Sequence, residues 1–317
     1  MNIWEDTNVI KIIEKLSTYK RNGKVILRES PKFVFICGES ILDETGKLKD
    51  KKDIQDNIRY FLIEELEKRS ILNKYDSKNH IVKCIISEYL YLQDWAEDIL
   101  SFEELLAEIS ECVIIIAESP GTFCELGAFT VKESFLKKLV VVNRDNPAFE
   151  NSFITRGPIR RLELYDENRV VLYGNKKNIF SSSAIQDKIS EIAEQNLSIR
   201  INDDAEHLHI KNLMYELCNI IEFFQPIEIY ETENLYKRIG KFNSYKLENE
   251  KEHKIHSIKQ VVKLLEKMKV IYKKDGFYYI SPTLTFYNVL FDIDRKKFND
   301  LRLAYLSRVY AKTPERM

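Results

Sequence analysis

The chain lacks several features that would fix its class at once. No apolar run approaches the ~20 residues of a membrane-spanning helix. Neither sign of charge is in excess: 49 Lys and Arg stand against 50 Asp and Glu, for a formal net charge of −1. That balance excludes a uniformly basic nucleic-acid coat but leaves room for a local basic patch. Cysteines are few and odd in number: Cys37, Cys84, Cys112, Cys124 and Cys218. No Cys/His pair has zinc-ligand spacing, so no metal site is predicted. Scattered thiols in apolar surroundings predict reduced core residues of a cytoplasmic protein. The start, MNIWEDTNVIKIIEKL, carries charges inside its apolar pattern and has no small-residue cleavage site, unlike a secretory signal.

What is present is a chain of 317 residues with ordinary hydrophobic content, 44 %, long enough for two domains. The pattern predicts a helix over 6–21, a strand over 33–37 and a helix over 54–72. A short apolar strand follows at 81–86. Ser101-Phe102-Glu103-Glu104 is a capping-box pattern opening a helix through residue 109. Strands follow at 112–117, 139–143 and 170–172, with a helix over 122–135 between the first two. This alternation predicts an α/β fold with a parallel, doubly wound sheet. A further helix is expected over 183–197. Beyond residues 202–204 the alternation stops, which places one domain at 1–200 and a mostly helical one at 201–317. Helices are expected over 205–224, 227–239, 255–268 and 295–310. Between the last two, Asp275-Gly276 flanked by β-formers signals a hairpin of 270–272 with 277–280. Three helices followed by a hairpin is the order of a winged helix.

Residues 113–129 read VIIIAESPGTFCELGAF. The apolar run is a buried parallel strand, and a loop of Ser119, Pro120 and Gly121 leads into a helix that opens near Thr122 and brings Glu125 into its first turn. Open α/β sheets bind ligands outside the carboxyl ends of such strands, and helix starts attract anions. The loop has neither the Lys of a Walker loop nor the three spaced glycines of a dinucleotide fingerprint. A lone carboxylate beside small residues suits attack on, or stabilisation of, an oxocarbenium-like centre in glycosidic cleavage. The plainer alternative is a glutamate complementing the helix dipole. Other strand ends carry Gly38, Glu39 and Ser40, then Glu88 with Tyr89, and Asn143 with Arg144 and Asp145, all expected along one sheet edge. Gly38 and Gly121 would allow close backbone approach to a ligand. Gly127 would allow close helix packing. Ser119 and Thr122 would hold hydroxyls or phosphate. Arg156 and Arg160 are candidates for phosphate contact or surface ion pairs. In the second domain, Lys259, Lys263 and Lys267 decorate the candidate recognition helix, and Lys273 and Lys274 the hairpin, a cluster suited to nucleic-acid or partner contact or to a solvated face.

FICGES (35–40) and ESPGTFCELGAF (118–129) resemble the nucleoside 2-deoxyribosyltransferase superfamily, in which a Gly-Thr-x-x-Glu-Leu-Gly motif sets a glutamate nucleophile against the anomeric carbon. Gly121, Thr122, Glu125, Leu126 and Gly127 match it, while Ala128-Phe129 departs from it. A wider likeness adds SFITRGPIRRL (152–162), DGFYYISPTL (275–284) and FDIDRKKFNDLRL (291–303). With these the chain resembles the deoxyribosyltransferase-like effector subunit of bacterial retron anti-phage systems. That resemblance implies a glycosidase-like domain joined to a winged-helix domain, and association with the retron reverse transcriptase and its branched RNA–DNA product (msDNA). It implies a toxic activity, released by infection, that cleaves NAD or a related nucleotide as substrate, with no bound cofactor. A homo-oligomer or higher assembly is compatible with it, and no membrane is involved. The superfamily also uses an aspartate to manage the base proton, and Glu88 is the positional stand-in here. Nicotinamide departs neutral and needs no such proton, which favours NAD over a plain nucleoside. Against this enzyme stands a regulator that senses a nucleotide without cleaving it and binds DNA.

Overall fold

The computed structural model describes residues 3–27, 30–72, 81–90, 98–146, 150–174, 191, 198–201, 208–247 and 255–316. Helix α1 (Thr7–Thr18) is capped by Asp6, whose carboxylate accepts from Asn8 and Val9 N–H, and it buries Val9, Ile13 and Leu16. Strand β1 (Gly23–Ile26) precedes β2 (Lys32–Cys37) in the chain. The helix predicted over 54–72 is two helices, α2 (Lys51–Ile54) and α3 (Ile58–Leu72). The break is at Asn57, whose side chain accepts from Tyr60 N at 2.9 Å. Strand β3 (Val82–Ile85) is followed by α4 (Ile99–Ile109). The cap of α4 is Asp98 and not Ser101. Its carboxylate accepts from both the N–H and the hydroxyl of Ser101 at 2.8 Å, so the expected capping box lies inside the helix.

Strand β4 (Cys112–Ala117) enters α5 (Pro120–Val131), which stops at Lys132 before the short α6 (Glu133–Leu136) instead of running to 135. Strand β5 (Leu139–Arg144), a π-helical turn (Thr155–Ile159), α7 (Arg160–Tyr165), β6 (Val170–Tyr173) and β7 (Ser198–Ile201) follow. The remaining elements are α8 (Ile210–Phe224), α9 (Ile229–Gly240), α10 (Ile258–Lys267), β8 (Ile271–Lys274), β9 (Phe277–Ile280) and α11 (Arg295–Lys312). The helix predicted over 183–197 falls, but for Glu191, outside the described residues.

The chain divides into two compact units, residues 32–197 and residues 1–31 with 198–317. The first holds a five-stranded, wholly parallel sheet in the order β3-β2-β4-β5-β6. Strands β2 and β4 are buried along their whole length, as continuous apolar runs require in a covered parallel sheet. One layer of core joins Val34, Ile36, Leu62, Ile114, Ile116, Val140 and Val142. Strand order reverses between β2 and β4: the chain steps outward to β3, then returns to the far side of β2. The crevice beyond the carboxyl ends of those two strands is where such sheets take ligands.

The second unit includes residues 1–31, which the partition at residue 200 assigns to the sheet domain. Helix α1 packs its apolar stripe against α9 and α11, and β1 pairs antiparallel with β7, a ribbon the sequence pattern did not predict. Helix α8 is buried on nearly every side, and Phe223 and Phe224 meet Tyr305 of α11 and, for Phe224, Trp4. The expected hairpin is present, with Ile271 opposite Ile280 and Lys274 opposite Phe277. Asp275 (φ 50°) and Gly276 (φ 91°) take the positive φ that a two-residue turn demands. The segment between α8 and α9 joins the hairpin through Tyr278 N–H to Ile227 O at 2.8 Å. Among the described residues no helix is long and apolar enough to cross a membrane.

Candidate active site

The strand-to-helix joint after β4 is built by a reciprocal cap. Ser119 Oγ accepts from Thr122 N, while Thr122 Oγ1 accepts from the N–H groups of Glu118 and Ser119 at 3.2 and 3.0 Å. Pro120 occupies the first helical position, where its missing N–H is no loss. Both hydroxyls are therefore spent on holding the joint, where the sequence pattern offered them to a ligand. The helix opens at Pro120, so Glu125 lies in the second turn, beyond the first-turn position that a dipole-complementing glutamate would occupy.

Glu125 is half-buried, and its Oε2 is sealed from solvent with no hydrogen-bond partner among the described residues. Two groups crowd the carboxyl. One is the Cys37 thiol at the end of β2. The other is the carboxyl of Glu103 on α4, itself only 3 % exposed. Burial pushes Glu125 up to about 7, and the negative charge of Glu103 pushes the same way. The Cys37 hydrogen bond and the Arg59 charge pull back. Burial, with the Glu125 charge adding to it, holds the Cys37 thiol well above its ordinary range, so Cys37 donates as a neutral thiol. Two adjoining carboxyls in a dry site hold a proton between them more readily than they both ionise. Neither Glu103 nor Cys37 was expected. The trace in the sequence was an acid on the apolar stripe of α4, in step with Ile99, Leu106 and Ala107.

Glu88 follows β3, as expected, but both its oxygens face a buried arginine. Arg59 Nη2 donates to Glu88 Oε2 at 2.7 Å, and Nη1 donates to Oε1. Arg59 is 1 % exposed and also donates to the carbonyls of Ile36 (3.0 Å) and Gly38 (3.4 Å). It thus ties the carboxyl end of β2 to the turn after β3. A Cβ on Gly38 would lie 3.0 Å from Arg59 Cβ and from Ile116 Cδ1, so this glycine makes room for the arginine. Glu39 N–H donates to Glu118 Oε1 at 3.1 Å, linking the two strand ends across the crevice. Ser40 closes a local turn with Leu42 and carries Lys49 on its carbonyl.

Asn143 lies beside Ala117 in the β4–β5 register, half-buried at the same edge. Pro120 and Gly121 are exposed, and among the described residues a Cβ on Gly121 would meet only Ser119 Oγ, at 3.9 Å. Among the described residues nothing lies within 4 Å of a Cβ placed on Gly127. Arg156 and Arg160 are exposed on the π-helical turn and α7. Arg156 donates to Asn151, and Arg160 pairs with Glu163 at 3.1 Å, the surface arrangement. In the other unit Lys259, Lys263 and Lys267 form one exposed stripe of α10, and Lys273 and Lys274 are exposed on β8.

Comparison with known proteins gives these residues a setting. A family model described as the STM3845 retron effector protein matches residues 55–273. Two curated proteins of Escherichia coli are similar over shorter stretches. The "Retron Ec86 putative ribosyltransferase/DNA-binding protein" is 38% identical over 73 residues, 23% of this chain and 24% of its own. The "Retron Ec73 putative ribosyltransferase/DNA-binding protein" is 28% identical over 136 residues, 41% of this chain and 38% of its own. The chain therefore spans only about a quarter to two fifths of the length of these relatives. The family model, in contrast, takes in more than half of the chain and includes Arg59, Glu88, Glu103 and Glu125. The chain belongs to the STM3845 retron effector protein family.

Proposed function

We propose that the parallel-sheet unit cleaves an N-glycosidic bond of NAD or a related nucleotide, with Glu125 as the group that meets C1′. The observation that carries this reading is the Glu125 carboxyl itself: raised to about 7, with one buried oxygen unpartnered, and backed by a second carboxyl. A carboxyl perturbed both by burial and by a specific charged neighbour, beside the carboxyl end of a parallel strand, is a functional-site candidate. In its ionised form Glu125 attacks C1′, or stabilises the oxocarbenium-like centre, as the base departs with the bonding electron pair. Where an ester forms, water then adds at C1′, the ester C–O bond breaks and the water's extra proton leaves to solvent.

Glu103, nearly sealed from solvent, acts through Glu125. Glu88 is held by Arg59 and serves to position the strand ends. A leaving group that needs no proton, a pyridinium-linked base, fits this arrangement best. The names of the two E. coli relatives, each a "putative ribosyltransferase/DNA-binding protein", support the reaction class. The finer architecture belongs to the same reading: a doubly wound, deoxyribosyltransferase-like sheet, and a winged helix formed by α8, α9, α10 and the β8–β9 hairpin. Membership of a retron effector family supports association with a reverse transcriptase and its msDNA, which would hold the toxic activity in check.

The test is release of free base from NAD, nicotinamide mononucleotide and nucleosides, followed by chromatography. It uses the chain purified alone and the chain co-expressed with a retron reverse transcriptase and its msDNA. Glu125→Gln should lower release by ~10³-fold or more, the scale seen when a nucleophile is removed. Release that survives this substitution would remove Glu125 from the reaction. Stoichiometric NAD binding without turnover in every preparation would favour a sensor that binds DNA.

A further inference from the structure

A polar cleft of about 310 Å³ lies in the unit formed by residues 1–31 and 198–317, at the end of α1, with Tyr19, Lys20, Arg21, Lys24 and Asp292 in its walls. Val25 is its one aliphatic lining residue. The walls are fixed by backbone: Arg21 N–H donates to Leu290 O, and Asp292 N–H donates to Tyr19 O, both at 2.8 Å. Beside the cleft, Lys297 of α11 sits 4.1 Å over the Tyr19 ring. Arg21 pairs with Asp292 at 2.7 Å and donates to Asn288, yet its Nε is buried without an acceptor among the described residues.

The ribbon beside the cleft adds an independent observation. Lys24 of β1 stands directly opposite Arg200 of β7, and both side chains are exposed. Like charges facing each other across antiparallel strands destabilise the pair. Neither has an ion-pair partner among the described residues. The C-terminal end of the α1 dipole accounts for a cation such as Lys20, which follows it, but not for two cations on the ribbon. Lys20, Arg21, Lys24, Arg200 and Lys297 thus lie in or beside the cleft that holds the Asp292 carboxylate, spread over a helix end, two strands and α11.

We propose that this cleft and ribbon bind the phosphodiester backbone of a nucleic acid without reading its bases. The spread of the cations suits successive phosphates and not a single ion, for which donors converge on one point. Tyr19 is the one aromatic residue in the cleft lining among the described residues, and Lys297 already lies over a face of its ring. Contacts of this kind fix position and orientation and carry no sequence information. The site is separate from α10 and the hairpin, and its test keeps the two readings apart.

The full chain is titrated against fluorescein-labelled 20-nucleotide DNA, single-stranded and duplex, in two unrelated sequences, between 50 and 200 mM salt. In Lys24→Gln/Arg200→Gln, affinity should fall roughly 10–100-fold for every sequence, and the log–log salt slope should become shallower by about 2 units. The melting temperature of this variant should not fall, because a like-charge contact is relieved. A matched Lys263→Gln/Lys267→Gln variant reports on α10. Wild-type affinity and slope in the ribbon variant would overturn the proposal, whatever the α10 variant does. So would absence of binding by the wild-type chain.

Discussion

Glu125 is more stable protonated than charged in the place it occupies, and that has a sign. Its carboxyl is raised from 4.5 to about 7 by burial and then by Glu103. The folded state holds this proton more tightly than the unfolded chain. The associated stability is therefore complete below about pH 4.5 and is lost as pH rises through 7. A shift of that size corresponds to about 3 kcal/mol. Glu125→Gln should raise the melting temperature at pH 8 and leave it nearly unchanged at pH 4.5. An equal shift at both pH values would show that the carboxyl is not perturbed. A site that is stabilised by losing its acid is one where activity and stability compete. The companion residues were the hardest to read. Glu125 stood out in the sequence because a strand, a turn and a motif converge on it. Glu103 and Cys37 did not, because only tertiary packing brings α4 and the end of β2 against α5. Arg59 was likewise invisible: nothing local says that its guanidinium caps the carbonyls of Ile36 and Gly38.

At the scale of elements, the joint between β4 and α5 decides where Glu125 points. Ser119 and Thr122 hold it through the reciprocal cap. Ser119→Ala should cost about 1 kcal/mol in chemical denaturation, within the usual range for a lost cap. Base release should fall as well, because the first turn then frays under the crevice. Unchanged stability would mean that packing alone fixes the joint. The elements legible in the sequence were those with strong local signals. The four β-branched residues before Ala117 gave β4, and Asp275-Gly276 gave the hairpin, since positive φ at both turn positions is a local demand. Illegible were the break at Asn57 and the cap at Asp98. In each, one short polar side chain competes with an apolar period that runs on past it. The β1–β7 ribbon joins residues more than 170 positions apart, and short strands of mixed polarity carry almost no pattern.

For the whole molecule, the two ends of the chain are bound into one unit. Glu231 on α9, 1 % exposed, accepts from Trp4 Nε1 at 2.5 Å and from both Nη atoms of Arg316 at 3.0 and 2.5 Å. Lys312 meets Asp6 at 2.6 Å, and that contact, with two backbone N–H groups, holds the Asp6 carboxyl at about 2. Breaking a buried pair by removing one partner leaves an uncompensated charge, worth roughly 3–5 kcal/mol. Arg316→Met should lower the urea midpoint by that measure, and a wild-type midpoint would contradict the tie. A cut at residue 200, where the change of pattern suggests a boundary, would part α1 from α9 and α11. The fragment 1–200 should then expose Val9, Ile13 and Leu16 and bind a hydrophobic dye, whereas the intact chain does not.

In the proposed reaction Glu125 must be ionised to break the N-glycosidic bond. The rate of nicotinamide release from NAD, followed from pH 5 to 9 for the chain in its active preparation and for Glu125→Gln, tests it most directly. The wild-type rate should rise with pH, levelling above about 7, and the variant should show no such limb. A wild-type rate that falls through pH 7, or a variant that keeps the wild-type profile, would contradict it.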